Sequence, residues 1–79
     1  MIVVAEKVGV FKQTAKKFKN EKFVKLRLQK NSTITDLINK FKIPKNNIVL
    51  ITKNKKIADI NSVLKEGDVV RLYPPIGGG

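Results

Sequence analysis

The chain ends in Pro74-Pro75-Ile76-Gly77-Gly78-Gly79, where a stiff proline pair gives way to three glycines and a free carboxylate. Glycine has no side chain to obstruct an approaching group and tolerates almost any backbone angle, so such a run can be threaded through a narrow slot in another protein. From Pro74 to Gly79 the chain extends at most about 20 Å, at roughly 3.3–3.6 Å per residue, enough to reach from a folded body into a partner's pocket. Proline holds its own φ and biases its predecessor toward extended structure, so Pro74 and Pro75 are expected to aim the tail outward. Leu72, Tyr73, Pro74, Pro75 and Ile76 are the candidate grip on that partner. Leu72 suits the core better, and Tyr73 is balanced between core and contact. The plainer alternative is that an exposed terminus carries glycine because nothing selects against it.

Little else in the chain can do chemistry. It has 79 residues, no cysteine and no histidine. That removes thiol nucleophiles, disulfides, imidazole bases and the usual zinc ligands, so self-contained catalysis and a metal site are not expected. One domain fits this length, and an apolar fraction of 42% suffices for its core. No apolar stretch approaches a membrane span, and Met1-Ile2-Val3-Val4 lacks a basic leader, so a soluble cytoplasmic protein is expected. The net charge of +11 comes from 17 Lys and Arg against 6 Asp and Glu, with Arg27 and Arg71 the only arginines. Lysine is the less geometrically specific cation, and the charge is spread along the chain, which reads first as solvation. A basic surface nonetheless attracts polyanions, leaving RNA or an acidic partner surface open.

The elements that must position the tail follow from periodicity. Residues 2 to 11 are predicted as a strand with Ile2, Val4, Val8 and Val10 sharing one face. A second strand runs from about Lys22 to Gln29, with Val24, Leu26 and Leu28 alternating against Lys25, Arg27 and Gln29. The polar segment Lys12 to Glu21 between them reads as a long, mobile hairpin loop. The period then changes: Ile34, Leu37, Ile38 and Phe41 make one helical stripe, with Thr33 as cap, Asp36 completing a capping box and Pro44 as the stop. Ile48-Val49-Leu50-Ile51 is a continuous apolar run, predicted as a strand buried on both sides. A turn at Lys53-Asn54-Lys55-Lys56 leads to a short segment around Ile57. Glu66-Gly67-Asp68 is another turn, and Val69 to Tyr73 is the last strand.

Strand, strand, helix, strand, short strand, strand in so few residues implies an α+β fold, a mixed sheet over one helix. The helix Thr33 to Phe41, the segment Leu64-Lys65-Glu66-Gly67-Asp68-Val69-Val70 and the ending Pro-Pro-Ile-Gly-Gly-Gly together resemble the ubiquitin-like sulfur carriers. Within that family the likeness is to the molybdopterin synthase small subunit and the thiamine-pathway sulfur carrier. The resemblance implies a β-grasp domain over residues 1–73, with four to five strands and the first and last strands parallel in the sheet centre, and a flexible reactive tail over 74–79. It makes Gly79 the working residue, with Gly77 and Gly78 as the threading segment.

A terminal carboxylate has a pKa near about 3.3–3.7, so at neutral pH it is ionised and a poor electrophile. The resemblance implies that a ubiquitin-activating-type adenylating enzyme uses ATP to activate it, and that a persulfide donor converts it to a thiocarboxylate. The product would serve molybdopterin, thiamine or tRNA thiolation, with a large synthase subunit as a further partner. Two alternatives remain: a ubiquitin-like modifier joined through Gly79 to lysines, and a basic RNA-binding module in which the tail is incidental.

Overall fold

The computed structural model describes residues 1–75. Ile76, Gly77, Gly78 and Gly79 lie outside the described residues. The elements are β1 (Ile2–Lys7), β2 (Phe23–Arg27), the helix α1 (Ile34–Phe41), β3 (Leu50–Lys53), β4 (Lys56–Ile57) and β5 (Val69–Tyr73), with 3-10 turns at Lys16–Phe18 and Lys45–Asn47. They form one five-stranded sheet in the order β2-β1-β5-β3-β4. β1 and β5 run parallel in its centre, and the other neighbours are antiparallel. This is the ubiquitin-like β-grasp architecture, with α1 against one face of the sheet.

The helix begins where the sequence places it. Thr33 Oγ1 accepts from the Asp36 amide, and Asp36 Oδ2 accepts from the Thr33 amide at 2.8 Å. Two further first-turn amides, of Ile34 and Thr35, donate to the carbonyls of Ser62 and Ile60 in the segment that crosses beneath it. Its buried stripe is Ile34, Leu37, Ile38 and Phe41. The helix stops two residues before Ile43, because Lys42 turns left-handed at φ 57°. Pro44 therefore follows the end and does not cause it: the Lys42 and Ile43 amides cap the Ile38 and Asn39 carbonyls, and the Phe41 carbonyl is taken by Thr14 and Ala15.

The segment Leu64 to Val70 locks β5 into place. Gly67, at φ +82°, gives its amide to the Ile2 carbonyl, and Val4 gives its amide to the Asp68 carbonyl. Asp68 is buried. Its Oδ2 accepts from the Lys65 amide at 2.8 Å and its Oδ1 from the Asn54 side chain at 2.9 Å, while Asn54 Oδ1 accepts from Val69. One carboxylate thus joins the turn before β5 to the β3–β4 hairpin, while the backbone bonds of Gly67 and Asp68 tie the same turn to β1.

Three sequence expectations are corrected. The predicted strand over 2–11 ends at Lys7, and the core takes the other parity: Val3 and Ala5 are fully buried, while Ile2 lies 38% exposed on the open face. Ile2-Val3-Val4-Ala5 is apolar at both parities, so alternation could not choose between faces, whereas a single helix covers only one. For the same reason the run 48–51 is not buried on both sides: Ile51 enters the core and Leu50 faces out. The loop predicted to be mobile is tied down. Phe18 sits in the core edge-on to Phe41 with ring centroids 4.9 Å apart, the Ala15 amide and Thr14 hydroxyl donate to the Phe41 carbonyl, and the Lys7 ammonium donates to the Phe18 carbonyl.

Candidate functional site: the root of the tail

Strand β5 delivers the chain to Pro74 and Pro75, and both of its neighbours hold its last residues. The Val8 amide donates to the Leu72 carbonyl at 2.8 Å, and the Val49 amide donates to the Tyr73 carbonyl at 2.9 Å. The tail root is therefore clamped from both sides of a central strand, the least yielding position in the sheet.

Just beyond β1, Gly9 adopts φ +112°. A Cβ there would lie 2.9 Å from Pro74 Cγ and 3.3 Å from Pro74 Cδ. Only glycine accepts both this backbone angle and this contact, so the bare Gly9 backbone is the floor on which the Pro74 ring rests. The ring fixes φ at Pro74, and the floor fixes where the ring sits. Together they set the direction of the chain at Pro74.

The surroundings are apolar. A groove of about 600 Å³ is lined by Val8, Gly9, Val10, Lys12, Val49, Leu50, Tyr73, Pro74 and Pro75, and a smaller one beside it adds Phe11 and Asn47. Val10 is 85% and Val49 60% exposed. Lys12 is the one charged residue among those lining either groove. Such a surface is desolvated at little electrostatic cost, which suits it to contact with another protein. Behind the root, Arg71 and Glu6 are cross-strand neighbours on the open face, with Arg71 Nε donating to Glu6 Oε1 at 2.8 Å.

Of the predicted grip residues, Leu72 is fully buried against the helix and offers no surface, which corrects its place in that set. Tyr73 is half-buried on the opposite face, and Pro74 and Pro75 line the groove. Ile76 and the glycines Gly77, Gly78 and Gly79 lie outside the described residues. The sequence missed Val10, Val49 and Leu50 as surface. For Val49 and Leu50 the signal available was the unbroken run from Ile48 to Ile51, longer than a sheet covered on one face can bury. It also missed Gly9, whose role depends on a contact with a residue 65 positions away.

Comparison with known structures places this arrangement. The fold matches SAMP1 from Haloferax volcanii with a TM-score of 0.70 at 15% identity, covering 100% of both chains. It matches molybdopterin-converting factor from Helicobacter pylori, solved as a complex of subunits 1 and 2, with a TM-score of 0.63 at 24% identity over 100% of both chains. A putative molybdopterin converting factor subunit 1 from Pyrococcus furiosus gives a TM-score of 0.65 at 17% identity, with 96% of this chain and 99% of that one covered. No curated protein sequence matches. Among the described residues no helix is long and apolar enough to cross a membrane. The profile that matches in sequence is that of the ThiS family, over residues 8–79; it takes in Gly9, β5, the proline pair and the glycine tail together, and the chain belongs to that family.

Proposed function

We propose that the chain is a sulfur carrier whose working group is the carboxylate of Gly79. The observation that carries this reading is the tail root: a central strand clamped on both sides runs into Pro74, which is seated on Gly9 within a largely apolar surround whose one charge is Lys12. That design fixes the direction of the chain at Pro74 and Pro75, and membership of the ThiS family agrees with it.

The chemistry is that of an unreactive acid made reactive elsewhere. In a partner of the ubiquitin-activating type, a Gly79 carboxylate oxygen attacks the α-phosphorus of ATP, and pyrophosphate leaves. The terminal sulfur of a partner's persulfide attacks the acyl carbon of the adenylate and expels AMP, giving an acyl disulfide. A thiol then cleaves the S–S bond, leaving a thiocarboxylate on Gly79 and a disulfide on the donor side. The carrier contributes reach, direction and an unobstructed terminus, with Gly77 and Gly78 passing through the slot. Tyr73, Pro74, Pro75 and Ile76 meet the partner's rim, joined by Val10, Val49 and Leu50. A synthase large subunit would receive the sulfur, and molybdopterin is the destination favoured by the proline pair.

The test is the mass of the tail in protein isolated gently from its own cells. Trypsin cuts after Arg71, so the tail travels as residues 72–79. A mass gain equal to sulfur in place of oxygen on that peptide is the expected result. The same peptide branched onto lysines of other proteins would assign a modifier role, and an unaltered tail under every growth condition would overturn the proposal.

A further inference from the structure

Strand β2 is an edge of the sheet, and its outer side is free. The Lys7 amide donates to the Lys22 carbonyl, and Met1 and Leu28 exchange bonds. The alternation of an antiparallel ladder then turns the amides and carbonyls of Val24 and Leu26 toward β1 as well. Those of Phe23, Lys25 and Arg27 point the other way. Among the described residues no backbone partner meets them.

Along this edge runs a cleft of about 830 Å³, bounded by β2, the turn Thr14–Phe18 and the C-terminal end of α1. Its floor is apolar: Ala15, Phe18 and Leu26. Its rim carries Lys16, Lys17, Lys25, Arg27, Lys40 and Lys42, and no carboxylate lines it. The cleft is preformed, because Thr14 and Ala15 are bonded to the Phe41 carbonyl at the helix end and Phe18 is packed on Phe41.

We propose that the β2 edge is a docking site for an extended, acidic peptide segment of a partner protein, added to the sheet as a further strand. Each feature selects for that occupant. The free amides and carbonyls of Phe23, Lys25 and Arg27 match a peptide backbone. Alternation along β2 places Leu26 on the helix side and Lys25 and Arg27 on the open side. A strand pairing with it would lay apolar side chains over Leu26 and Phe18 and set acidic ones beside Lys25 and Arg27. The lysines beyond each end hold acidic flanks. The same cations repel a second copy of this chain, so the edge stays closed to self-pairing while open to an acidic strand. Nucleic acid fits less well: β2 offers a single exposed aromatic, Phe23, where a single strand is held by successive bases stacked on several.

The probe is acetyl-Glu-Val-Glu-Ile-Glu-Val-Glu-amide, titrated into the full chain and followed by amide NMR shifts, with a scrambled peptide of the same composition as control. The expected result is saturable binding, tighter than the scramble, with hydrogen exchange slowed at the amides of Phe23, Lys25 and Arg27. Lys25→Pro removes an outward amide without breaking the ladder to β1, as edge strands tolerate. It should weaken binding about tenfold, and K16E/K17E should weaken it also. The slowed exchange in the unaltered chain serves as the readout if the proline variant fails to fold. Deleting Gly79 should leave peptide affinity unchanged, which separates this site from the sulfur chemistry. The proposal is overturned by equal binding of the scramble, by peptide binding without protection of those amides, or by absence of peptide binding. Binding of poly-uridine in place of the peptide would reassign the cleft to nucleic acid.

Discussion

Two grooves share one connection, and they are built by opposite means. The segment after β1 gives Val8 to Lys12 to the tail root and Thr14 to Phe18 to the β2 cleft. At the root the work is done by backbone: a glycine at positive φ, a proline ring resting on it, and clamped carbonyls, with a single cation among the lining residues. At the cleft it is done by side chains: six cations arranged over an apolar floor beside an unpaired edge. Backbone constraint gives direction, which the proposed entry of the tail into a partner's pocket would need. Charge on a free edge gives selectivity for an acidic strand and leaves the pairing partner to be chosen. A small domain can thus offer two partners two kinds of surface without either intruding on the other.

The comparison breaks most severely at Phe18, whose ring is the floor of the cleft and part of the core. Phe18→Ala should cost about 3 kcal/mol, as for buried aromatic truncations, measured by urea unfolding. The amide shifts of the turn Lys16–Phe18 should move while those of Val8, Gly9 and Tyr73 stay. Equal disturbance at both places would mean that the grooves are not separately built.

Gly9 sharpens the other side. Gly9→Ala combines a disallowed backbone angle with a clash against Pro74, whereas Gly67→Ala, at φ +82°, meets nothing within 4 Å. The second should cost about 1 kcal/mol of backbone strain and the first roughly 2–3 kcal/mol. Adding Pro74→Ala should recover part of the Gly9→Ala loss and none of the Gly67→Ala loss. If the two glycine variants cost the same, Pro74 is not seated on Gly9 and the tail is not aimed.

The smallest effect concerns Lys7, the buried ammonium that bonds to the Phe18 carbonyl. Burial holds its pKa below the ordinary lysine value of 10.5, partly opposed by Glu21. The unfolded chain therefore keeps its proton at pH values where the folded chain has begun to lose it. Stability from this residue is fully present above 10.5 and is lost as pH falls through the lowered folded value. Lys7→Met should be within about 1 kcal/mol of the parent at neutral pH. The parent should gain on the variant in urea midpoint as pH rises toward 10.5. A constant difference across that range would mean that Lys7 reaches water.

Much of the fold was legible in the residues. The helical stripe from Ile34 to Phe41 with its Thr33–Asp36 cap, the turn at Glu66-Gly67-Asp68 and the strand Val69 to Tyr73 are local signals, and local geometry honours them. The open-face strand of β1 was not legible, because two parities of apolar residues compete over 2–5 and the winner depends on which face the helix covers. The anchoring of the 12–21 loop was hidden for a related reason. A lone Phe18 in a lysine-rich stretch carries no period, and its partner Phe41 lies in another element. The tail itself was the clearest candidate, but the seat beneath it was not.

What the sequence by itself determined is the residues on offer: a run of glycines after a proline pair, no thiol or imidazole, a surplus of lysine, and the order of strands and helix. These depend on residue type and on spacings of a few positions. Only the tertiary structure decided which face of the sheet is core, which apolar residues remain outside, where the cations converge, and that Gly9 carries Pro74. Those outcomes depend on contacts between distant residues, where close packing on one side of the sheet excludes every arrangement but one.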